Sequence, residues 1–377
     1  MDKALKTLRI VFLSPYPPLP VFHGASRRIW SLATHLARMG NDITIICKSN
    51  REGYLVKDRV KVASCPNPGL IPQSFWRLGN SRMVKELVKL HRQVDVIQCE
   101  LPYMFPPSSF SKFIGKPLVL DEHGVEVTNI KEVCYHNAPS KIKIGLVYLI
   151  EKMALECSTM TFACSKVDAK KICQMFRISS SKVEVIPNGV EGSFFEKIEP
   201  FEYSQLTVMF LGGVGHLPNK YAIDKLFREI IPLVLTEVKQ VQFSFVGNSV
   251  GYPIISSENI VMHGQVDDVR PYISGSDICV APIYHGTGTR LKILEYMACG
   301  KPVVATNKAV EGLEGVSDGE NIIIRDDAKD FSQAIVDLLS DESERKKIGR
   351  AALELVKERY NWENIAKKAM ECYKRIS

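Results

Sequence analysis

Residues 279 to 315 read CVAPIYHGTGTRLKILEYMACGKPVVATNKAVEGLEG, and they hold the residue types best suited to gripping a phosphorylated ligand. Gly286, Thr287, Gly288 and Thr289 make a short loop whose glycines let the backbone come close to a ligand. A helix that starts directly after such a loop offers unbonded N–H groups and the positive end of its dipole, which favour a diphosphate. Lys292 adds a full charge in the first helical turn, and Glu295, three residues on, could reach the vicinal hydroxyls of a ribose. A structural loop with a solvated Lys and a Glu that merely suits the dipole is the plainer reading of the same residues.

Two further groups have chemical potential. Asp121-Glu122-His123-Gly124-Val125-Glu126 follows an apolar run and sets a histidine among carboxylates, a candidate for substrate contact or catalysis, although a lone His is more often structural. Phe22-His23-Gly24-Ala25-Ser26 ends a proline-rich loop and leads into a helix, where backbone could approach a substrate or simply cross the surface. Gly212-Gly213-Val214-Gly215 suggests a dinucleotide fingerprint, but Pro218 stands where the third glycine is needed, so nicotinamide and flavin cofactors are rejected. Asp-x-Asp occurs nowhere, so no divalent metal on a diphosphate is required and no cofactor is expected.

The elements that must position these groups alternate along the whole chain. Strands are expected at 9–13, 42–47, 94–98, 117–120, 160–164 and 183–186, with a helix at 26–39 closed by Gly40. After Pro187-Asn188-Gly189 the pattern restarts, with strands at 206–211, 241–246, 260–262, 278–283, 302–306 and 321–324. The expected fold class is α/β, as two doubly wound Rossmann-like domains with a ligand cleft at the C-terminal ends of their strands. A length of 377 residues, 45% hydrophobic and 24% charged, suits two globular domains of ordinary size.

Ten scattered Cys without a Cys-x-x-Cys pair indicate neither a disulfide framework nor structural zinc and fit a reducing cytosol. The apolar run at 8–13 is too short for a signal peptide, so a cytoplasmic location is expected. Charge is uneven: residues 1–190 carry 27 Lys/Arg against 15 Asp/Glu, and the remainder 22 against 27. A basic half suits a phosphorylated acceptor or an anionic membrane at the inner face. Nucleic acid is excluded as a partner, because no binding motif or Lys/Arg block is present. Two stretches, 70–92 and 142–155, mix apolar and basic residues and are read either as ordinary surface helices or as membrane-interface helices.

Taken together, these segments resemble the retaining glycosyltransferases of family 4, also called group 1, which have the GT-B fold. The resemblance runs nearly end to end. It rests on RIVFLSPYPPLPVFHGASRRIWSLATHLARMGNDITIIC near the start, Val185-Ile186-Pro187-Asn188-Gly189-Val190 between domains, FLGGVGHLPN from Phe210, and VRPYISGSDICVAPI from Val269.

The resemblance implies transfer of a sugar from a nucleoside-diphosphate donor to a hydroxyl acceptor, with retention at the anomeric carbon and a lipid-linked or polysaccharide acceptor. It implies an N-terminal acceptor domain of residues 1–188 plus a returning helix at 360–377, and a donor domain of residues 189–359. His123 would lie beside the transferred sugar, with His23, Asp121 and Glu126 on the acceptor or sugar side. Glu295 would hold the ribose. Gly286 to Arg290 with the amides of Leu291 and Lys292 would cradle the diphosphate, Gly24 would close over the donor, and Val266 would touch the base through its backbone.

The sequence also departs from the family. Counting back eight from Glu295 lands on Thr287, where the family usually has a second Glu, and Gly213 and Asn219 fall near positions of a usual Arg and Lys. Lys292 is expected to replace that charge, with Lys220 or His216 as lesser candidates. A non-catalytic sugar-nucleotide-binding subunit and a sugar-nucleotide epimerase of the same fold are the alternatives.

Overall fold

The computed structural model describes residues 7–21, 24–66, 80–109, 111, 114–133, 141–251 and 257–377. The chain divides into two compact units, Met1–Asn188 with Trp362–Ser377, and Gly189–Asn361. Strands of the first unit are β1 (Arg9–Ser14), β2 (Asp42–Ser49), β3 (Gly53–Lys57), β4 (Val60–Pro66), β5 (Val96–Glu100), β6 (Leu118–Glu122), β7 (Met160–Ala163) and β8 (Val183–Val185). They form one sheet in the order β3-β4-β2-β1-β5-β6-β7-β8, parallel throughout except for the β3–β4 pair.

Four helices of this unit matter to the site: α1 (Gly24–Arg38), α2 (Ser81–Leu90), α3 (Glu126–Val133) and α4 (Lys141–Cys157). In α1 the apolar residues Ile29, Leu32, Ala33 and Leu36 recur at helical spacing and are fully buried. They share a core with Trp362, Ile365, Ala366, Ala369, Met370 and Tyr373 of the chain's last helix, Trp362–Ile376. Each large apolar side chain buried there contributes roughly 1.5–3 kcal/mol, which seats the returning segment on the first unit.

The β3–β4 hairpin was absent from the expected elements. Its turn residues Asp58 and Arg59 have φ of 51° and 66°, the left-handed pair of a tight hairpin turn, but neither is the Asn-Gly type that marks such turns in a sequence. All five residues of β3 are exposed, so burial leaves no alternating pattern to read there. Of the basic-apolar stretch 70–92, residues up to 79 lie outside the described part, and the remainder is α2, whose Met83 and Leu87 are buried.

In the second unit, β9 (Thr207–Leu211), β10 (Gln242–Val246), β11 (Ile260–Gly264), β12 (Ile278–Ala281), β13 (Val303–Ala305) and β14 (Ile323–Ile324) form a wholly parallel sheet in the order β11-β10-β9-β12-β13-β14. Helices α5 (Leu217–Lys225) and α6 (Leu291–Ala298) leave the C-terminal ends of β9 and β12 by way of loops. The strands are apolar on both faces because helices cover both. The return to the first unit begins at Trp362 rather than at 360. Tyr360 is buried in the second unit, where its hydroxyl donates to the Glu314 carbonyl at 2.9 Å and its own carbonyl accepts the Val190 N–H at 2.7 Å.

Candidate functional site

In the second unit the Gly/Thr loop runs from the end of β12 to the start of α6. Gly286 and Gly288 have φ of 97° and 75°, conformations open to glycine at no steric cost. A Cβ on Gly286 would stand 3.2 Å from the Pro218 ring, so the loop also packs closely on the start of α5. Arg290 serves this loop. Its guanidinium donates to the carbonyls of His285, Gly286, Thr287 and Gly288 at 2.5–3.2 Å, which turns those carbonyls inward and fixes the curve. The Arg290 side chain thereby shapes the loop from within, through the backbone carbonyls it holds.

Arg290 is also the N-cap of α6, and no side chain caps the helix. The N-terminal amides, Leu291 and Lys292 first, therefore lack a capping side chain at the positive end of the dipole. Lys292 turns back across β9: its Nζ donates to Asn219 Oδ1 at 2.7 Å and sits 4.3 Å over the Phe210 ring. Burial, and then the nearby Arg290 charge, lowers its pKa to about 7. A Cβ on Gly212 would lie 2.7 Å from Lys292 Nζ and 2.7 Å from Asn219 Nδ2, so only glycine leaves room for this arrangement. His216 stands in the same field, and burial followed by Lys292 and Arg290 lowers its pKa to about 4. Thus Asn219, which falls near the position of the family's usual cation, instead positions one in Lys292.

Glu295 lies one turn beyond Lys292 and is 5% exposed. The neighbouring Tyr296, unremarked in the sequence, accepts the Leu211 N–H at 2.6 Å and ties α6 to the end of β9. Val266 is half-buried in the loop after β11 and packs on the same core. The loops after β9, β10, β11 and β12 all leave the C-terminal edge of the sheet, and those after β9 and β10 touch backbone to backbone, Gly212 N–H to Val246 O at 2.8 Å and Val214 N–H to Asn248 O at 2.9 Å.

The first unit holds the other group of candidates. Strand β6 runs through Glu122, beyond the strand expected at 117–120, so Asp121 and Glu122 are fully buried strand residues. Asp121 is taken by Arg28 of α1, whose Nε and Nη2 bond its two oxygens at 3.0 and 2.7 Å. Burial alone would lower the Arg28 pKa, but Asp121 more than offsets it and the group is held as a cation. Arg28 also donates to the carbonyls of Ile186 and Pro187 and to Asn188 Oδ1, so it clamps the last residues of the first unit. Arg28 was missed because a basic residue inside an amphipathic helix normally reads as its solvent face.

His123 follows β6, and its Nε2 lies 2.8 Å from Glu100 Oε2 at the end of β5 and 3.9 Å from Asp121 Oδ2. The ligand atoms of Glu100, Asp121 and His123 fall within 4.8 Å of one another, a spacing that suits a metal. Arg28 stands as a cation beside Asp121, and His123 with Glu100 forms an imidazole–carboxylate pair. Glu126 begins α3, is 6% exposed and accepts the Tyr103 hydroxyl at 2.8 Å. Glu122 and Glu151 lie in the same acidic interior. Burial and then neighbouring carboxylates push Glu122 well above the usual range, and burial pushes Glu151 up to about 8. Gly24 is the first residue of α1 and exposed, while His23 lies outside the described residues.

The chain is similar to known proteins along most of its length. The Glycosyltransferase Family 4 model matches residues 22–193 and the Glycosyl transferases group 1 model matches 205–341. An uncharacterized glycosyltransferase of Methanocaldococcus jannaschii is 25% identical, covering 84% of this chain and 81% of its own. The capsular polysaccharide biosynthesis glycosyltransferase CapM of Staphylococcus aureus is 25% identical over 59% of this chain and 64% of its own. Among solved structures, sucrose-phosphate synthase from Thermosynechococcus elongatus superposes with a TM-score of 0.76 at 19% identity, covering 98% of both chains. Anabaena Alr3699/HepE in complex with UDP gives 0.72 at 15% identity, covering 98% of this chain and 100% of the other.

Proposed function

The chain belongs to the family 4, group 1 glycosyltransferases and has their GT-B fold, and from that premise we propose that it transfers a sugar from a nucleoside-diphosphate donor with retention and without a metal. The observation that carries this reading is Lys292 at the N-terminus of α6, held by Asn219 beside helix amides that no side chain caps. As the glycosidic bond breaks, charge grows on the leaving diphosphate, and preorganised amides with a lysine stabilise it where a metal would otherwise be used. Glu295 would take the ribose, and Val266 would meet the base through its backbone. The complexes of Anabaena HepE with UDP and with UDP-glucose support a donor of this class.

His123 is proposed to lie beside the transferred sugar, and Gly24 to contact the donor. The nearest carboxylates are engaged, Asp121 by Arg28 and Glu100 by His123 itself. This favours attack from the face the phosphate leaves, assisted by that phosphate, over a carboxylate nucleophile.

The acceptor is proposed to be a polysaccharide or lipid-linked glycan, in keeping with the CapM relative. Among the described residues no helix is long and apolar enough to cross a membrane. Helix α4 instead presents Ile142, Leu146, Leu149 and Met153 on one exposed face, with Ile142 83% and Leu149 52% accessible. Lys141 and Lys143 at one end and Lys152 along the side suit an anionic bilayer surface, and this is the proposed route to a membrane-held acceptor.

Purified protein given a panel of nucleoside-diphosphate sugars should release nucleotide in the presence of acceptor, with the anomeric configuration kept and with chelator added. His123→Ala should bind nucleotide but not turn over. Free epimer, or tight binding without release from the wild-type protein, would overturn the proposal.

A further inference from the structure

We propose that Glu100 is a positioning residue for His123, and that a buried chain from Tyr373 through Gln98 to Glu100 holds the imidazole with its proton on Nε2 and its Nδ1 as acceptor. The inference rests on the reading of His123 as the residue beside the transferred sugar.

The hydrogen bonds have one consistent direction. The buried Tyr373 hydroxyl donates to Gln98 Oε1. That leaves the Gln98 amide nitrogen, which can only donate, 2.6 Å from Glu100 Oε1 and 3.4 Å from Asp121 Oδ2. Turning the amide over would set a carbonyl oxygen against two carboxylates. The other oxygen of Glu100 meets His123 Nε2 at 2.8 Å, so an ionised Glu100 accepts from both neighbours and fixes the Nε2–H tautomer. His123 Nδ1 is then a buried lone pair with no partner among the described residues.

Backbone strain falls at the same place. Leu101, immediately after Glu100, has φ 66° and ψ 152°, a region that essentially only glycine occupies, and its side chain is 3% exposed. Its N–H donates to the Asp121 carbonyl at 3.0 Å, which pins the end of β5 against β6 where Glu100 pairs with Asp121. A leucine kept in this conformation shows that the surroundings over-determine the turn that places Glu100. Tyr373, at the far end of the chain, sits on the last helix, so the segment returning at Trp362 takes part in aligning the histidine.

The opposite polarity is chemically distinct. Burial and the Asp121 charge push Glu100 upward in pKa, while its bonds to His123 and Gln98 pull it down. A proton retained on Glu100 would be donated to Nε2 and leave the histidine proton on Nδ1. Long-range 15N–1H correlation spectra of full-length protein labelled with 15N-histidine separate the two, with the His123 signals assigned by their loss in His123→Ala.

The expected result is an Nε2–H signature in the wild type that is lost in Glu100→Gln. That variant should keep its affinity for UDP while kcat falls about a hundredfold, the size of a reacting group held out of position. Tyr373→Phe should show the same split with a smaller loss. An Nδ1–H signature in the wild type overturns the proposal without recourse to any variant. Turnover retained by His123→Ala would sink the reading of His123 and the relay's functional claim with it. An inactive His123→Ala beside a fully active Glu100→Gln would sink the relay alone.

Discussion

Donor binding should be linked to proton uptake at Lys292. Its pKa is lowered to about 7 by burial and then by Arg290, so in the unliganded protein the ammonium is lost as pH rises through neutrality. A diphosphate placed against it restores the charged form, and above about pH 7 each unit must then weaken binding about tenfold, or ~1.4 kcal/mol. Between about pH 7 and pH 9 the affinity should therefore fall up to about a hundredfold, with one proton taken up per donor bound. The sign for folding is opposite: the unfolded chain holds the proton up to the ordinary value of 10.5, so this group makes the free protein more stable as pH rises from about 7 to 10.5.

Isothermal titration with a nucleoside-diphosphate sugar, whose diphosphate diester does not titrate in this range, reads both quantities when repeated in two buffers of different ionisation enthalpy. Lys292→Met should bind weakly at every pH and lose the dependence. An affinity that stays flat from about pH 6 to pH 9, with no buffer-dependent heat, would refute the assignment of Lys292 to the diphosphate.

Other outcomes follow from the first unit. Arg28→Leu leaves Asp121 buried without its cation and should cost about 3–5 kcal/mol in urea unfolding, whereas an unchanged midpoint would show that the pair is not the clamp described. Glu151 holds its proton up to about 8 in the folded state against 4.5 ordinarily, so the wild type loses stability as pH rises across that window. The melting-temperature difference between Glu151→Gln and wild type should therefore move in the variant's favour as pH climbs from about 5 to 8, and a constant difference would refute it. Replacing Ile142 and Leu149 with Glu should reduce cosedimentation with anionic phospholipid vesicles at least about tenfold, given roughly 1.5–3 kcal/mol for each large apolar side chain buried. Unchanged cosedimentation would exclude this face of α4.

Much of the second unit was legible because its signals are local. A β-branched run, a Gly/Thr loop and a helix with Lys292 in its first turn follow one another within a few residues, and each is marked by composition. The carboxylates of the first unit were misjudged by a single strand boundary. Two charged residues after an apolar run read as a loop, yet the strand continues through Asp121 and Glu122, because Arg28 supplies a buried cation that makes a charged strand end tolerable. The direction of the Arg290 side chain was not legible either: nothing in Gly-Thr-Gly-Thr-Arg tells whether the guanidinium turns outward or back onto four carbonyls.

The sequence by itself determined the alternation of strands and helices, the family and the Gly/Thr loop between β12 and α6, since these depend on neighbours within one or two turns of chain. Only the tertiary structure decided which polar groups meet. Arg28 and Asp121 are 93 residues apart, Asn219 and Lys292 are 73 apart, and Gln98 and Tyr373 are 275 apart. Such pairs leave no trace in local periodicity. They form because parallel strands carry distant segments to one edge of a sheet, where a buried charge or amide must find a partner or bear the full cost of leaving water.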